Sequence, residues 1–131
     1  MYDKIVTLLA AIGYTNVTDN DTILLNFMIS EVESHIKNEI NWQEIPEGLE
    51  AVAINRVIGK FLLAKKTFSP ADLSMLNLDA AVKQMQAGDT NYVFAVGEGS
   101  ETDESRLTSF INYLLSYGES DFSAFRRIRW G

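Results

Sequence analysis

The fold of this chain is decided by residues 49–66, which read Leu49-Glu-Ala-Val-Ala-Ile-Asn-Arg-Val-Ile-Gly-Lys-Phe-Leu-Leu-Ala-Lys-Lys66. Apolar side chains recur at helical spacing and cover well over half of the helix circumference. They are Leu49, Val52, Ile54, Val57, Ile58, Phe61, Leu62 and Leu63. A helix this apolar is buried on more than one side, so the pattern predicts either a central helix or a helix with one flank on another subunit.

The subunit-contact alternative rests on one flank of this helix. Gly59 has no side chain and would let another backbone approach closely. A subunit interface would then use Ile54, Ile58, Gly59 and Leu62.

Helical spacing predicts further helices on both sides of this segment. Residues 2–13 place Ile5, Leu8, Leu9 and Ile12 on one face, with Gly13 at the cap. Asn20 or Asp21 is predicted to cap a longer helix that runs to about Ile40.

Two more helices are predicted in the second half of the chain. Ser69-Pro-Ala-Asp72 has the signature of a short helix through about Asn77. Asp103 is predicted to cap a last helix, which Gly118 ends.

A strand is predicted between these two helices. Residues 91–96 are rich in β-branched and aromatic side chains, and Gly88-Asp89 precedes them as a turn signal. The partner strand would be about Ala80 to Gln86, although its Ala, Lys and Gln residues are also good helix formers. The sequence as a whole predicts a mainly α fold, a small helical bundle of about four to five helices with an inserted β-hairpin at about residues 80–96.

The charge of the chain is unevenly distributed along its 131 residues. Residues 1–121 contain 8 Lys and Arg against 18 Asp and Glu, whereas residues 122–131 contain three Arg and no acid. A net charge of −7 argues against a general binder of nucleic acid or anionic membranes. No apolar run is long enough to span a membrane, and the absence of cysteine suits a reducing compartment.

The sequence contains no recognisable catalytic motif. It lacks a cysteine nucleophile and a phosphate-binding glycine loop, and its only histidine is His35. Glu31, His35 and Glu39 share a helix face, but this spacing is more typical of a solvated charge ladder than of a metal site. We therefore expect no enzyme activity, cofactor or bound metal.

The last ten residues are predicted to be an extended docking tail, separate from the helical domain at residues 1–121. Large apolar residues alternate there with three arginines, and both residue types are enriched where one protein buries itself in another. They are Phe122, Phe125, Arg126, Arg127, Ile128, Arg129 and Trp130. The same residues could bind nucleic acid, although the acidic remainder of the chain makes this less favourable.

Four segments resemble the head-tail connector, or adaptor, family of tailed bacteriophages and prophages. They are Leu25-Asn-Phe-Met-Ile-Ser-Glu-Val-Glu-Ser-His-Ile-Lys-Asn38, Ile45-Pro-Glu-Gly-Leu49, Gln86-Ala-Gly-Asp-Thr90 and Phe125-Arg-Arg-Ile-Arg-Trp130. Together they span nearly the whole chain in a fixed order.

The resemblance implies a structural virion protein that assembles in the host cytoplasm and resides at the head-tail junction. About a dozen copies would form a ring below the portal protein, extend the DNA channel and bind the next neck or tail component. The tail would anchor the ring on the portal, and DNA would pass without sequence-specific binding. The acidic loop, with Glu98, Glu101, Asp103 and Glu104, or else the hairpin would face the channel, since acidic side chains do not hold the phosphates of sliding DNA. The alternatives are a small cytoplasmic binding or regulatory module that docks a partner through the tail, and a nucleic-acid binder.

Overall fold

A computed structural model of the chain describes residues 1–81 and 103–118. Four α-helices occur in these residues: α1 (Tyr2–Ala11), α2 (Asp19–Ile40), α3 (Glu50–Phe68) and α4 (Asp103–Leu115). Short 3-10 helices occupy Glu47–Leu49 and Pro70–Leu73, and residues 78–81 are also helical. The prediction of a mainly α helical bundle is confirmed.

Helix α3 is the central helix of this bundle. It contacts α1, α2, α4 and both 3-10 helices, and its apolar residues make up a large part of the core. Phe61 and Leu62 are fully buried, and Ile54 and Ile58 are 6% and 2% exposed. Of the two alternatives predicted for residues 49–66, the structure therefore shows the first, a central helix buried by its own chain.

The close approach expected at Gly59 is made by α4 of the same chain. A Cβ atom at this position would lie 2.9 Å from Leu114 Cβ and 3.1 Å from the Leu115 backbone nitrogen. Ile54, Ile58 and Leu62 are also buried within the chain. A neighbouring subunit would therefore have to use other residues, since the chain's own helices already cover the four proposed for an interface.

Helix α2 begins two to three residues earlier than predicted. Asp21 is not its N-cap but a residue of its first turn, and its side chain helps to cap the helix from there. The Thr18 hydroxyl accepts a hydrogen bond from the Asp21 N–H (3.1 Å), and the Thr18 N–H donates to the Asp21 carboxylate (3.2 Å). This reciprocal pair is a capping box, with Thr18 as the N-cap and Asp21 as its third residue. The helix ends at Ile40, where Asn41 adopts a left-handed conformation with φ 58°.

The Asp21 carboxylate also joins three parts of the fold. It is 1% exposed, accepts a hydrogen bond from the Tyr14 hydroxyl at 2.6 Å, and pairs with Lys65 Nζ at 2.6 Å. Lys65 in turn binds Asp72 at 3.0 Å. A single buried carboxylate thus connects the α1–α2 segment, the last turns of α3 and the second 3-10 helix.

These contacts shift the pKa values of Tyr14, Asp21 and Lys65. Burial and the bond to Asp21 raise the pKa of Tyr14 to about 12. Burial alone would raise the pKa of Asp21, but the hydrogen bonds from Lys65, Tyr14 and Thr18 outweigh it and lower that pKa. Burial would lower the pKa of Lys65, and the bonds to Asp21 and Asp72 raise it instead.

The lowered pKa of Asp21 predicts a specific acid sensitivity. The stabilisation is fully present above the pKa of the unfolded chain, about 3.9, and is lost as the pH falls through the lower pKa of the folded state. Asp21→Asn removes this titration, so its free energy of unfolding is expected to depend less on pH below about pH 5. Urea unfolding at several pH values checks this, and parallel pH profiles for the two proteins would contradict it.

The predicted β-hairpin is wrong at its start. Residues 80 and 81 are helical, and no strand occurs in residues 1–81 or 103–118. Asn77 starts this helical turn, because its side-chain oxygen accepts from the Ala80 N–H and its carbonyl from the Ala81 N–H, both at 3.1 Å. With this cap in place, Ala80 and Ala81, which are good helix formers, continue the turn. The remainder of the predicted hairpin, residues 82–96, lies outside the described residues.

Candidate functional site

Large apolar side chains are exposed on the outer face of α2. Ile23 is 69% exposed and Phe27 is 62% exposed. They follow Asp19 at four-residue intervals, and Ser30 continues the same face, so all four lie in one row along the helix. We call Asp19, Ile23, Phe27 and Ser30 the α2 row.

Leu63 of α3 lies at the same level of the bundle as the α2 row. Glu31 pairs with Lys60 (3.6 Å) and Asp21 with Lys65 (2.6 Å), so α2 and α3 run antiparallel. Leu63 is one turn after Lys60, and Phe27 is one turn before Glu31, which puts the two at the same level. Leu63 is 43% exposed.

An open groove of about 590 Å³ lies beside the α2 row, between α2, α3 and α4. Two cations, Arg56 and Lys60, line its α3 side. Lys60 faces Glu31, and Arg56 Nε donates to the Tyr117 carbonyl at 3.1 Å. Its other lining residues include Phe27, Ser30, Ser34, His35 and Leu115.

A second groove, of about 540 Å³, lies where the end of α3 meets the start of α4. We call it the leucine groove, because leucines predominate in its lining. The lining comprises Leu73, Leu76, Leu78 and Leu107 with Pro70, Lys66, Ser74 and Glu104. Phe68 and Met75, which are 83% and 42% exposed, are close in sequence to the lining residues.

An ion pair connects two walls of the leucine groove. Arg106 Nη2 on α4 lies 2.8 Å from Asp79 Oδ1 in the 78–81 turn. Leu107 and Leu78 are the sequence neighbours of these two residues and line the groove. Because the Asp79 side chain is 83% exposed, this pair links the two walls but contributes little to stability.

The predicted site residues are distributed as follows. Glu104 is exposed and lines the leucine groove, and Asp103 is the first residue of α4. Glu98, Glu101 and the docking-tail residues from Phe122 to Trp130 lie outside the described residues. Ile54, Ile58, Gly59 and Leu62 belong to the core.

Glu31 and His35 line the groove beside α2, in the helix that also contains Glu39. In the part of the chain that the structure describes, no three acidic or histidine side chains come together as a metal site would require. The groove therefore presents charged and hydroxyl groups for contact and no preformed metal centre within those residues.

The exposed row and the leucine groove were not predicted from the sequence. The sequence did contain one indication of the row. The core residues of α2 are Leu25, Ile29, Val32 and Ile36, and helical spacing puts Ile23 and Phe27 on a different face of the helix.

Among the described residues, the structure contains no helix with the length and apolarity needed to cross a bilayer. Comparison of the chain with protein-family models, curated proteins and solved structures found no match.

Proposed function

We propose that this protein is a structural connector of a tailed phage or prophage. A ring of about a dozen copies binds the portal, extends the DNA channel and carries the next neck or tail component. It acts in the virion, after assembly in the bacterial cytoplasm. The proposal assigns no reaction, cofactor or metal to the protein.

The observation that carries the proposal is that one small acidic domain exposes apolar residues at two places, on α2 and around the leucine groove. A single exposed apolar residue is normal, whereas apolar groups rimmed by polar residues mark interaction sites. The α2 row with Leu63 is one such group, and the leucine groove is another. A ring requires two different contact surfaces on every copy, which these could supply.

The composition of the chain supports portal binding by the docking tail and the passage of DNA through the ring. Phe122, Phe125, Ile128 and Trp130 could fill pockets of the portal while the three arginines pair with its acids. The acidic body would repel phosphates, so DNA would slide past the Glu98 to Glu104 segment without stalling.

The direct test is the mass of the complex with the cognate portal. Native mass spectrometry of the mixed proteins at micromolar concentration is expected to show a portal ring with about a dozen bound copies. A protein that stays monomeric in this mixture and is missing from purified virions would contradict the proposal. Binding to an unrelated cytoplasmic protein through residues 122–131 would favour the binding-module alternative instead.

Trp130→Ala is predicted to weaken portal binding by about 2 kcal/mol, as expected for a buried aromatic anchor. The melting temperature of the unbound protein should not change. Calorimetric titration of the portal together with a thermal unfolding scan measures both quantities. Ser123→Ala, in the same segment, is the matched control and should bind like the parent protein. Equal losses of affinity and thermal stability in Trp130→Ala would identify Trp130 as a core residue.

A further inference from the structure

The α2 row has the arrangement of a helix that inserts into a groove on another molecule. Ile23 and Phe27 are one turn apart on the same face, which is the anchor spacing of helix-in-groove recognition. Both are more than half exposed, so no residue in 1–81 or 103–118 buries these side chains. The row is therefore a candidate for the projecting half of an interface.

The leucine groove has the properties of the receiving half. Its volume of about 540 Å³ has room for one or two large side chains, and leucines from three different segments line it. Apolar side chains entering such a groove gain free energy from the area that they remove from water. The chain therefore carries both a projecting apolar row and an apolar recess.

The charges beside the two surfaces are also complementary. Asp19 begins the α2 row, and Lys66 lines the leucine groove. Neither forms an ion pair with any residue in 1–81 or 103–118. Entry of the row into a groove on another copy could bring these opposite charges together at the rim of the contact.

The size of the surfaces indicates the kind of contact that they make. A few exposed apolar side chains amount to a patch of several hundred Å², below the roughly 800 Å² per partner of a standard stable interface. Such a contact is weak for a single pair of copies. It becomes effective when several copies are held side by side, as on a ring-shaped template.

We propose that the α2 row of one copy inserts into the leucine groove of the next copy. The contact uses two different surfaces, so repeating it around a closed ring leaves no surface unpaired. This inference rests on the proposed ring function and names the surfaces that build the ring. A second copy is favoured as the occupant because the same chain supplies both complementary halves.

The lack of cysteine in the chain allows a clean cross-linking test. Ser30→Cys places one thiol on the α2 row and Ser74→Cys places one in the leucine groove, both at exposed positions. With a short bismaleimide, each variant alone is expected to stay monomeric, and their mixture should give dimers. The double variant should give a ladder of longer species.

The inference would be overturned if either single variant cross-links to itself, or if the mixture cross-links no better than a control pair. Ser30→Cys or Ser74→Cys cross-linking to itself would show a symmetric contact between identical surfaces. A mixture that cross-links no better than Thr7→Cys with Ser74→Cys would show that the row and the groove do not meet. Thr7 is exposed on α1 and belongs to neither surface, so it reports random collisions.

A second variant tests the anchor itself. Phe27→Ser in the Ser30→Cys protein should reduce the dimer yield with Ser74→Cys about tenfold or more. The melting temperature should stay the same because Phe27 is 62% exposed. An unchanged yield would contradict the role of Phe27.

The same experiment separates this inference from the proposed function. Cross-linked dimers from a protein that never binds the portal would support the row-and-groove contact and reject the connector. A portal-bound ring without the Ser30→Cys to Ser74→Cys cross-link would support the connector and reject this contact.

Discussion

Lys65→Met is expected to lower the free energy of unfolding by about 3 kcal/mol. Asp21 is 1% exposed, and Lys65, only 13% exposed, is its ion-pair partner at 2.6 Å. Removing the ammonium group leaves the carboxylate buried without an opposite charge, and the remaining bonds from Tyr14 and Thr18 compensate only in part. Urea unfolding at neutral pH measures the change.

The matched control for this variant is Lys66→Met, at the next position on α3. Lys66 forms no ion pair within the described residues, so its loss should change stability by less than about 0.5 kcal/mol. The double variant Asp21→Asn with Lys65→Met should recover part of the loss, since it removes the stranded charge and keeps an acceptor for Tyr14. If Lys65→Met costs no more than Lys66→Met, the buried network does not stabilise the fold.

Gly13→Ala is expected to destabilise the protein by about 3 kcal/mol, for two reasons that add. Gly13 has φ +102°, which is strained for any residue with a side chain. A Cβ atom there would lie 2.5 Å from the Met75 carbonyl oxygen and 2.8 Å from the Asn77 nitrogen. Both are backbone atoms, so no rotation of a side chain can relieve the clash.

Gly118→Ala provides a comparison at a second glycine with positive φ. Gly118 also has a positive φ, of +70°, but the atoms that an added Cβ would meet there belong to the Val52 side chain. We expect Gly118→Ala to cost less than Gly13→Ala because φ +70° is closer to the left-handed region that residues with a side chain can adopt, although its Cβ would clash with Cγ2 of the buried Val52. Urea unfolding of both variants tests this, and equal costs would mean that the backbone contact at Gly13 is easily relieved.

Helical spacing was enough to predict α1 to α4, because each has core residues at intervals of three and four, and Gly13 and Gly118 lie just past two helix ends. The start of α2 was misjudged because Thr18 and Asp21 are both good caps, and only the geometry shows which one precedes the helix. At Ala80 the local sequence suits both helix and strand, and the cap from Asn77 decides for the helix.

The surfaces were harder to predict than the helices, for a physical reason. Burial against the same chain and burial against another copy require the same apolar residues, so the pattern around Gly59 could not separate them. The buried pair of Asp21 and Lys65 depends on the antiparallel packing of α2 and α3, which no local pattern encodes. Ile23 and Phe27 could be placed off the core positions, but their exposure depends on which helices surround α2.

The hydrogen bond from the Asn77 N–H to the Ile12 carbonyl (2.7 Å) has a consequence for how the protein is made. It joins the end of α1 to a segment that leaves the ribosome much later, since 65 residues separate Ile12 from Asn77. At about 5–20 residues per second, translation of that interval takes roughly 3–13 s. During this time α1 can pack on α2 and α3, but its C-terminal end lacks this bond. The end of the first helix to be synthesised is thus fixed only after α3 is complete.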